Sequence, residues 1–299
     1  MSYRAKVEPR AQIVPVNGLA HRVLHWGPPS ADPIVLLHGF QDAADTYQFL
    51  VDALPRDWSF AAPDWRGFGG SAASGRPYWF PEYYADLERL LDHLVPGRPA
   101  RIVGHSMGGN IATHYAGIRP PRVGWLVSLE GFGLPRTSPE QAPDRYARWL
   151  DALREPLEPR RYESVGQLAL VLARRNPRLS AEVAGFVARA WSRAAPGSAP
   201  GGPIELAHDP WHRLVNPVLS RREESEACWR RVAAPVLFLL AEHSEYLPRL
   251  GSDGSHDYLR QHFARATVVT LGGVGHMLHH EDPAAVADAI VRWVGILGR

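Results

Sequence analysis

Residues 101–110 read "RIVGHSMGGN". An apolar run ends in a serine set among glycines, and a helical pattern follows at once. Glycine inside a strand or helix costs about 0.5–1 kcal/mol relative to alanine, so Gly104, Gly108 and Gly109 must supply room that other residues cannot. Gly104-His105-Ser106-Met107-Gly108 is a G-x-S-x-G pattern, and its position between an expected strand and an expected helix is what gives it meaning. In so sharp a turn, flanking side chains collide unless they are glycine. The turn lifts the Ser106 hydroxyl to the carboxyl edge of a sheet. There the N-terminus of the next helix offers free N–H groups and the positive end of its dipole. The plainer alternative, a glycine-rich turn with a serine N-cap, leaves the strand–turn–helix context unexplained.

Further strands of the same kind flank this one. "PIVLLHG" (33–39), "SFAAPDW" (59–65), "GWLVSLEG" (124–131), "PVLFLLAE" (235–242) and "ATVVTLGG" (266–273) are short apolar runs, as expected of parallel strands buried on both faces. Helical patterns separate them at 46–54, 82–94, 108–118 and 283–297. The second of these sets Tyr83, Leu87, Leu90, Leu91 and Leu94 on one stripe. Such alternation implies right-handed crossovers and a mostly parallel, doubly wound α/β sheet. Near the start, Asn17-Gly18 between two strand-like runs predicts an antiparallel hairpin at the sheet edge. The alternation breaks after residue 133. Helical stretches, a flexible connector "APGSAPGGP" (195–203) and several tryptophans follow. The expected organisation is a core at 1–133 and 229–299, with a helical cap inserted at 134–228.

The bulk composition excludes several functions. The 299 residues carry a formal net charge of +2, with 45% hydrophobic and 21% charged residues. That is ordinary for a globular protein and gives no basic run for nucleic acid. A lone Cys228 excludes an internal disulfide and a cysteine metal cage. No apolar stretch reaches the ~18 residues of a membrane span, and the first residues lack the apolar core of a signal peptide. The expectation is a soluble, cytoplasmic protein acting on a small molecule.

Taken together, these segments resemble the α/β-hydrolase superfamily, and specifically its capped serine hydrolases of the serine-hydrolase-like and esterase branch. "LLHGF" (36–40) resembles the His-Gly segment after the third strand, and "PDWRGFGGS" (63–71) resembles the Asp-x-x-Gly-x-Gly-x-Ser loop. "GHSMGG" is similar to the nucleophile elbow, and "GGVGHMLHHEDP" (272–283) to the segment that carries a catalytic histidine. The resemblance implies Ser106 as nucleophile, His276 as general base and the backbone N–H groups of Phe40 and Met107 as oxyanion hole. Asp64, His38 and His105 are expected to brace the site rather than react. His279 and His280 beside His276 invite a metal reading. No conventionally spaced carboxylate–histidine motif accompanies them, so no metal and no cofactor is expected.

The triad acid is the open question. The resemblance places an aspartate after the strand at 235–241, but Ser244 stands there, between Glu242 and Glu245. Some relatives, haloalkane dehalogenases among them, carry the acid after the preceding strand, where this chain has Glu130 in "SLEGFG". An acidic residue closing an apolar run is costly without a partner. Glu130 is therefore the expected acid, with Glu245 and Glu242 as alternatives. Phe40, Trp65 and Met107 are expected to wall a partly apolar pocket. The implied activity is hydrolysis of a carboxylic ester or related acyl bond. Carbon–carbon bond hydrolysis by the same triad and a catalytically silent ligand-binding protein are the alternatives. A serine at the elbow argues against the aspartate-nucleophile chemistry of dehalogenases and epoxide hydrolases.

Overall fold

The apolar runs pair into one twisted sheet. The computed structural model describes residues 3–155 and 157–298. The chain begins with an antiparallel hairpin of β1 (Arg10–Val16) and β2 (Leu19–Trp26). Asn17 (φ 48°) and Gly18 (φ 80°) close it, the two positive φ angles that a type I′ turn requires. Next come β3 (Ile34–Leu37), α1 (Gln48–Ala53), β4 (Phe60–Pro63) and α2 (Phe80–Leu94). They lead to β5 (Ala100–His105), α3 (Met107–Ile118) and β6 (Val123–Leu129). A long excursion follows through α4 (Ala142–Ala152), β7 (Arg161–Tyr162), α5 (Val165–Arg175), α6 (Ala181–Ala190), β8 (Ser192–Ala194), β9 (Ile204–Leu206) and α7 (Arg222–Trp229). The chain then returns through β10 (Val236–His243), α8 (His256–His262), β11 (Ala266–Gly275), α9 (Leu278–Glu281) and α10 (Pro283–Leu297).

Among the described residues the main sheet has eight strands in the order β1-β2-β4-β3-β5-β6-β10-β11. β2 pairs antiparallel with both β1 and β4, and every later pairing is parallel. Strand order reverses between β3 and β5, so the loops leaving these two strands diverge and open a crevice at their carboxyl ends. Open α/β sheets bind ligands at such a switch point. Helices cover both faces. Leu87 and Leu90 of α2, Ile111 and Tyr115 of α3 and Leu259 of α8 pack on one side. Leu50 of α1 with Val286 and Ile290 of α10 packs on the other. The α2 stripe from Tyr83 to Leu94 is buried as its spacing predicts.

The excursion gives no strand to this sheet, but it is not purely helical as expected. β7, β9 and β8 form a separate three-stranded antiparallel sheet, and the 195–203 connector is the turn that joins β8 to β9. Leu168, Leu172, Val187 and Ile204 make its small core, together with Phe49 of α1. The expected boundary at 228 falls inside α7, which lies against α3: His114 and Ser225 are hydrogen bonded at 2.8 Å.

Candidate active site

Ser106 stands between the last residue of β5 and the first of α3, with φ 49° and ψ −113°. A positive φ at a non-glycine residue is strained backbone, and tight packing enforces it here. A Cβ at Gly108 would lie 2.0 Å from the Leu37 carbonyl oxygen, and one at Gly104 would lie 2.7 Å from the Gly108 backbone. Only glycine lets α3 start this close to β3 and β5. Glu130 has the same feature one strand over: φ is 54° at the residue that follows β6.

These two turns and the end of β11 bring three side chains together. Ser106 Oγ lies 3.1 Å from His276 Nε2. His276 Nδ1 lies 3.1 Å from Glu130 Oε2. The Glu130 carboxylate is buried at 2% exposure, and it also accepts hydrogen bonds from the Ala241 N–H (2.8 Å) and the Ser244 hydroxyl. Such donors offset the cost of burying a carboxylate. The arrangement favours the imidazole tautomer with its proton on Nδ1, leaving the Nε2 lone pair for the serine hydroxyl. The backbone is held too, since the His276 carbonyl oxygen lies 2.9 Å from His105 Nε2. Glu242 and Glu245, the alternative acids, are exposed, and neither bonds His276 among the described residues. Glu242 instead accepts from the Gly273 N–H at 2.8 Å.

Ser244 has a function that sequence reasoning missed. It stands near the end of β10 where the resemblance expects an aspartate. Its hydroxyl donates to Glu130 and accepts from the Leu247 N–H at 3.1 Å. The only signal in the sequence was the coincidence of an acid on one strand with a hydroxyl at the end of the next.

Two residues at the edge of the same crevice carry backbone N–H groups without a partner among the described residues. Met107 is the first residue of α3, so its N–H has no intrahelical partner. Phe40, in the loop after β3, has an N–H with no hydrogen-bond partner within the protein among the described residues. Both residues line a cavity of about 830 Å³ that contains Ser106. Tyr84, His114, Trp149 and Trp211 are among its other walls, so the excursion supplies part of the roof. His212, also at the wall, is stacked between Phe68 and Tyr78, and burial pulls it down to about 3.

Trp65 is not part of this wall. It is fully buried, and its indole N–H donates to the His38 carbonyl at 3.0 Å while its backbone N–H donates to His38 Nε2 at 2.9 Å. The loop leaving β4 turns its aromatic side chain toward α2, against Tyr83. Asp64 beside it accepts from Arg22, the Ala44 N–H and the Gly70 N–H, a bracing role. Asp42, His105 and His279 lie beneath the site. They converge closely enough for a metal ion, with one ligand atom of each within 4.8 Å of the others.

The comparisons with known proteins agree with this architecture. The family described as "alpha/beta hydrolase fold" matches residues 32–283. A serine hydrolase-like protein of Danio rerio is 29% identical, over 89% of this chain and 82% of its own. Epoxide hydrolase A of Mycobacterium tuberculosis is 34% identical over 45% of this chain and 43% of its own. Among solved structures, the thioesterase domain from the curacin biosynthetic pathway superposes with a TM-score of 0.82 at 24% identity, covering 95% of this chain and 99% of its own. An esterase from Mycobacterium tuberculosis superposes at 0.72 with 21% identity, covering 98% and 92%. No helix among the described residues is long and apolar enough to cross a membrane. Sequence, sheet order and comparisons converge, and the chain belongs to the alpha/beta hydrolase fold family.

Proposed function

We propose that this protein is a serine hydrolase that cleaves a carboxylic ester or related acyl bond of a small, partly apolar substrate through an acyl-enzyme. The observation that carries this reading is the continuous hydrogen-bonded line from Ser106 through His276 to Glu130. Ser106 Oγ attacks the carbonyl carbon while His276 Nε2 takes its proton. The Phe40 and Met107 N–H groups receive the charge that develops on the carbonyl oxygen, and one such donor is worth about 2.7–4 kcal/mol of transition-state stabilisation. His276 then protonates the leaving group as its bond to the carbonyl carbon breaks. Water repeats the sequence on the acyl-enzyme and returns Ser106 to its free form. Glu130 holds the imidazole tautomer and balances the imidazolium charge.

A cavity of about 830 Å³ is large enough for an acyl or aryl group of drug-like size, and its aromatic walls favour an uncharged one. In this reading residues 134–228 act as a cap over the crevice, with Trp149 and Trp211 facing the substrate. The relative named as an epoxide hydrolase does not extend that chemistry to this chain, because the elbow here carries a serine hydroxyl.

The test is labelling with a fluorophosphonate probe, followed by peptide mapping and by assay of p-nitrophenyl esters of increasing acyl length. Modification of Ser106 with a burst of p-nitrophenol supports the proposal. Absence of labelling and of turnover leaves a ligand-binding protein. Turnover of a vinylogous diketone without ester turnover selects carbon–carbon bond hydrolysis.

A further inference from the structure

Below the triad lies a group of buried polar side chains that the proposed reaction does not use. Asp42 is in the loop after β3, His105 ends β5, and His279 and His280 belong to α9. All are 4% exposed or less. Asp42 Oδ2, His105 Nδ1 and both ring nitrogens of His279 and of His280 have no hydrogen-bond partner among the described residues. Each buried polar atom left without a partner costs about 1–3 kcal/mol, so a cluster of this size points to an occupant.

The partners these groups do have are the ones a ligand set needs. The three donors to Asp42 among the described residues converge on Oδ1: the Ala43 N–H and Thr46 hydroxyl at 2.8 Å each, and the Trp191 indole N–H at 2.7 Å. Oδ2 is left bare between His279 Nε2 and His280 Nε2, 3.9 Å from each. His105 directs Nε2 to the His276 carbonyl oxygen at 2.9 Å, which places its proton there and its lone pair on the bare Nδ1. A metal-bound histidine characteristically donates its other ring N–H to a carbonyl or carboxylate in this way.

We propose that Asp42, His105 and His279 form a buried site for a divalent transition-metal ion of the zinc class, with His280 as a candidate fourth ligand. Imidazole nitrogen and carboxylate oxygen are the donors zinc takes, with bonds of about 2.0–2.2 Å. Ligand atoms within 4.8 Å of one another must draw in to about 3.3–3.6 Å, the separation that tetrahedral bonds of that length set. Nothing sequential announces the site: "HMLHH" lacks a spaced carboxylate, and the fold brings Asp42 and His105 to it from two other strands. The ion would be structural. It would tie the oxyanion loop, the strand before Ser106 and the helix after His276 to one centre, and through Trp191 it would reach the cap.

The test uses the full chain with any polyhistidine tag removed. Protein is equilibrated with Zn²⁺ or Co²⁺, desalted, and compared with chelator-treated protein by elemental analysis, visible absorption and thermal melting. The expected result is stoichiometric zinc that survives desalting, intense d–d bands of four-coordinate cobalt, and a melting midpoint lowered by several degrees on chelation. Asp42→Asn and His279→Gln are expected to lose most of the bound metal, while His243→Ala, at an exposed histidine, keeps it. Metal below about one-tenth of an equivalent with no shift in midpoint overturns the proposal, and so does metal retained equally by both variants. If the variants fail to fold, the cobalt spectrum and chelation melt of the unaltered chain decide. Fluorophosphonate labelling of Ser106 is read independently, so failure here leaves the hydrolase reading untouched, and the reverse.

Discussion

Ser106 and Glu130 share a backbone conformation that most side chains avoid, with φ of 49° and 54°. Each closes a parallel strand and throws its side chain onto the sheet's carboxyl edge. Strain of this kind persists only where the surroundings over-determine it. Ser106→Ala leaves those surroundings intact, so fluorophosphonate labelling should vanish without loss of fold. Esterase activity should fall by ~10³-fold or more, the remainder coming from the oxyanion donors. Labelling at another serine would remove Ser106 from its role. Glu130→Gln is more informative about the acid. Its carboxylate accepts from His276, Ala241 and Ser244 at once, and an amide cannot accept from all of them with both of its arms. We expect kcat to drop by about 10²–10⁴ with little change in KM, because the interaction strengthens only as the imidazole gains its proton. Glu242→Gln and Glu245→Gln should each lose less than about tenfold, as exposed charges do. A large loss in Glu245→Gln beside a near-silent Glu130→Gln would move the acid to the end of β10. The turn at Ser106 was legible in the sequence because glycines mark the contact that forces it. Ser244 was not, since a hydroxyl that supports a carboxylate on the neighbouring strand leaves no local pattern.

At the scale of elements, the main sheet was legible because its inner strands are continuous apolar runs buried on both faces and its helices carry apolar stripes. The excursion was harder to read. Its small sheet is made of strands of two or three residues, too short to show alternation, and the Gly/Pro-rich 195–203 stretch looks the same whether it links helices or turns a hairpin. The helix most consequential for its anchoring is α7. Arg222 at its first turn is fully buried and donates to the carbonyls of Leu134, Phe132 and Asp253 and to the Tyr258 hydroxyl. It also pairs with the Asp253 carboxylate at 3.3 Å and lies over the Trp229 ring. One guanidinium thus holds both the exit from β6 and the segment before α8. Arg222→Met keeps much of the bulk but leaves these acceptors and a carboxylate without their donor. Breaking a buried pair from one side costs about 3–5 kcal/mol, and urea melts should register a loss of that order. A loss within about 0.5 kcal/mol, the range of ordinary surface substitutions, would mean that the network carries no anchoring role. The same geometry predicts that deleting 134–220 preserves the sheet better than deleting 134–228, which cuts α7 from α3.

Across the whole molecule, buried histidines impose a direction on stability against pH. His208 and His212 lie where the excursion meets the core. The Asp209 N–H between them in sequence donates to the Gly67 carbonyl at 2.7 Å. Burial pulls His208 down to about 4 and His212 to about 3. His21, His114, His105, His279 and His280 are lowered by burial as well. In the unfolded chain each titrates near 6.5. Below that value the unfolded state takes up protons that the folded state refuses, so the unfolded side gains free energy as pH falls. The contribution of these groups is therefore complete above about 6.5 and declines as pH falls toward the folded values. At pH 5 a histidine still neutral in the fold has cost about 2 kcal/mol relative to neutral pH. His208 and His212 alone should thus lower stability by roughly 4 kcal/mol between pH 7.5 and 5. Urea midpoints measured across that range should fall steadily on the acid side, and His212→Gln should flatten the slope even where its absolute stability is lower. The stacked ring between Phe68 and Tyr78 also lines the cavity, so acid should loosen the excursion beside the cavity before the sheet unfolds. Probe binding to the cavity should weaken at a higher pH than the loss of far-ultraviolet circular dichroism. A midpoint that stays level or rises from pH 6.5 to 5 would mean that these imidazoles are charged in the fold, and the stacked, desolvated arrangement would have to be redrawn.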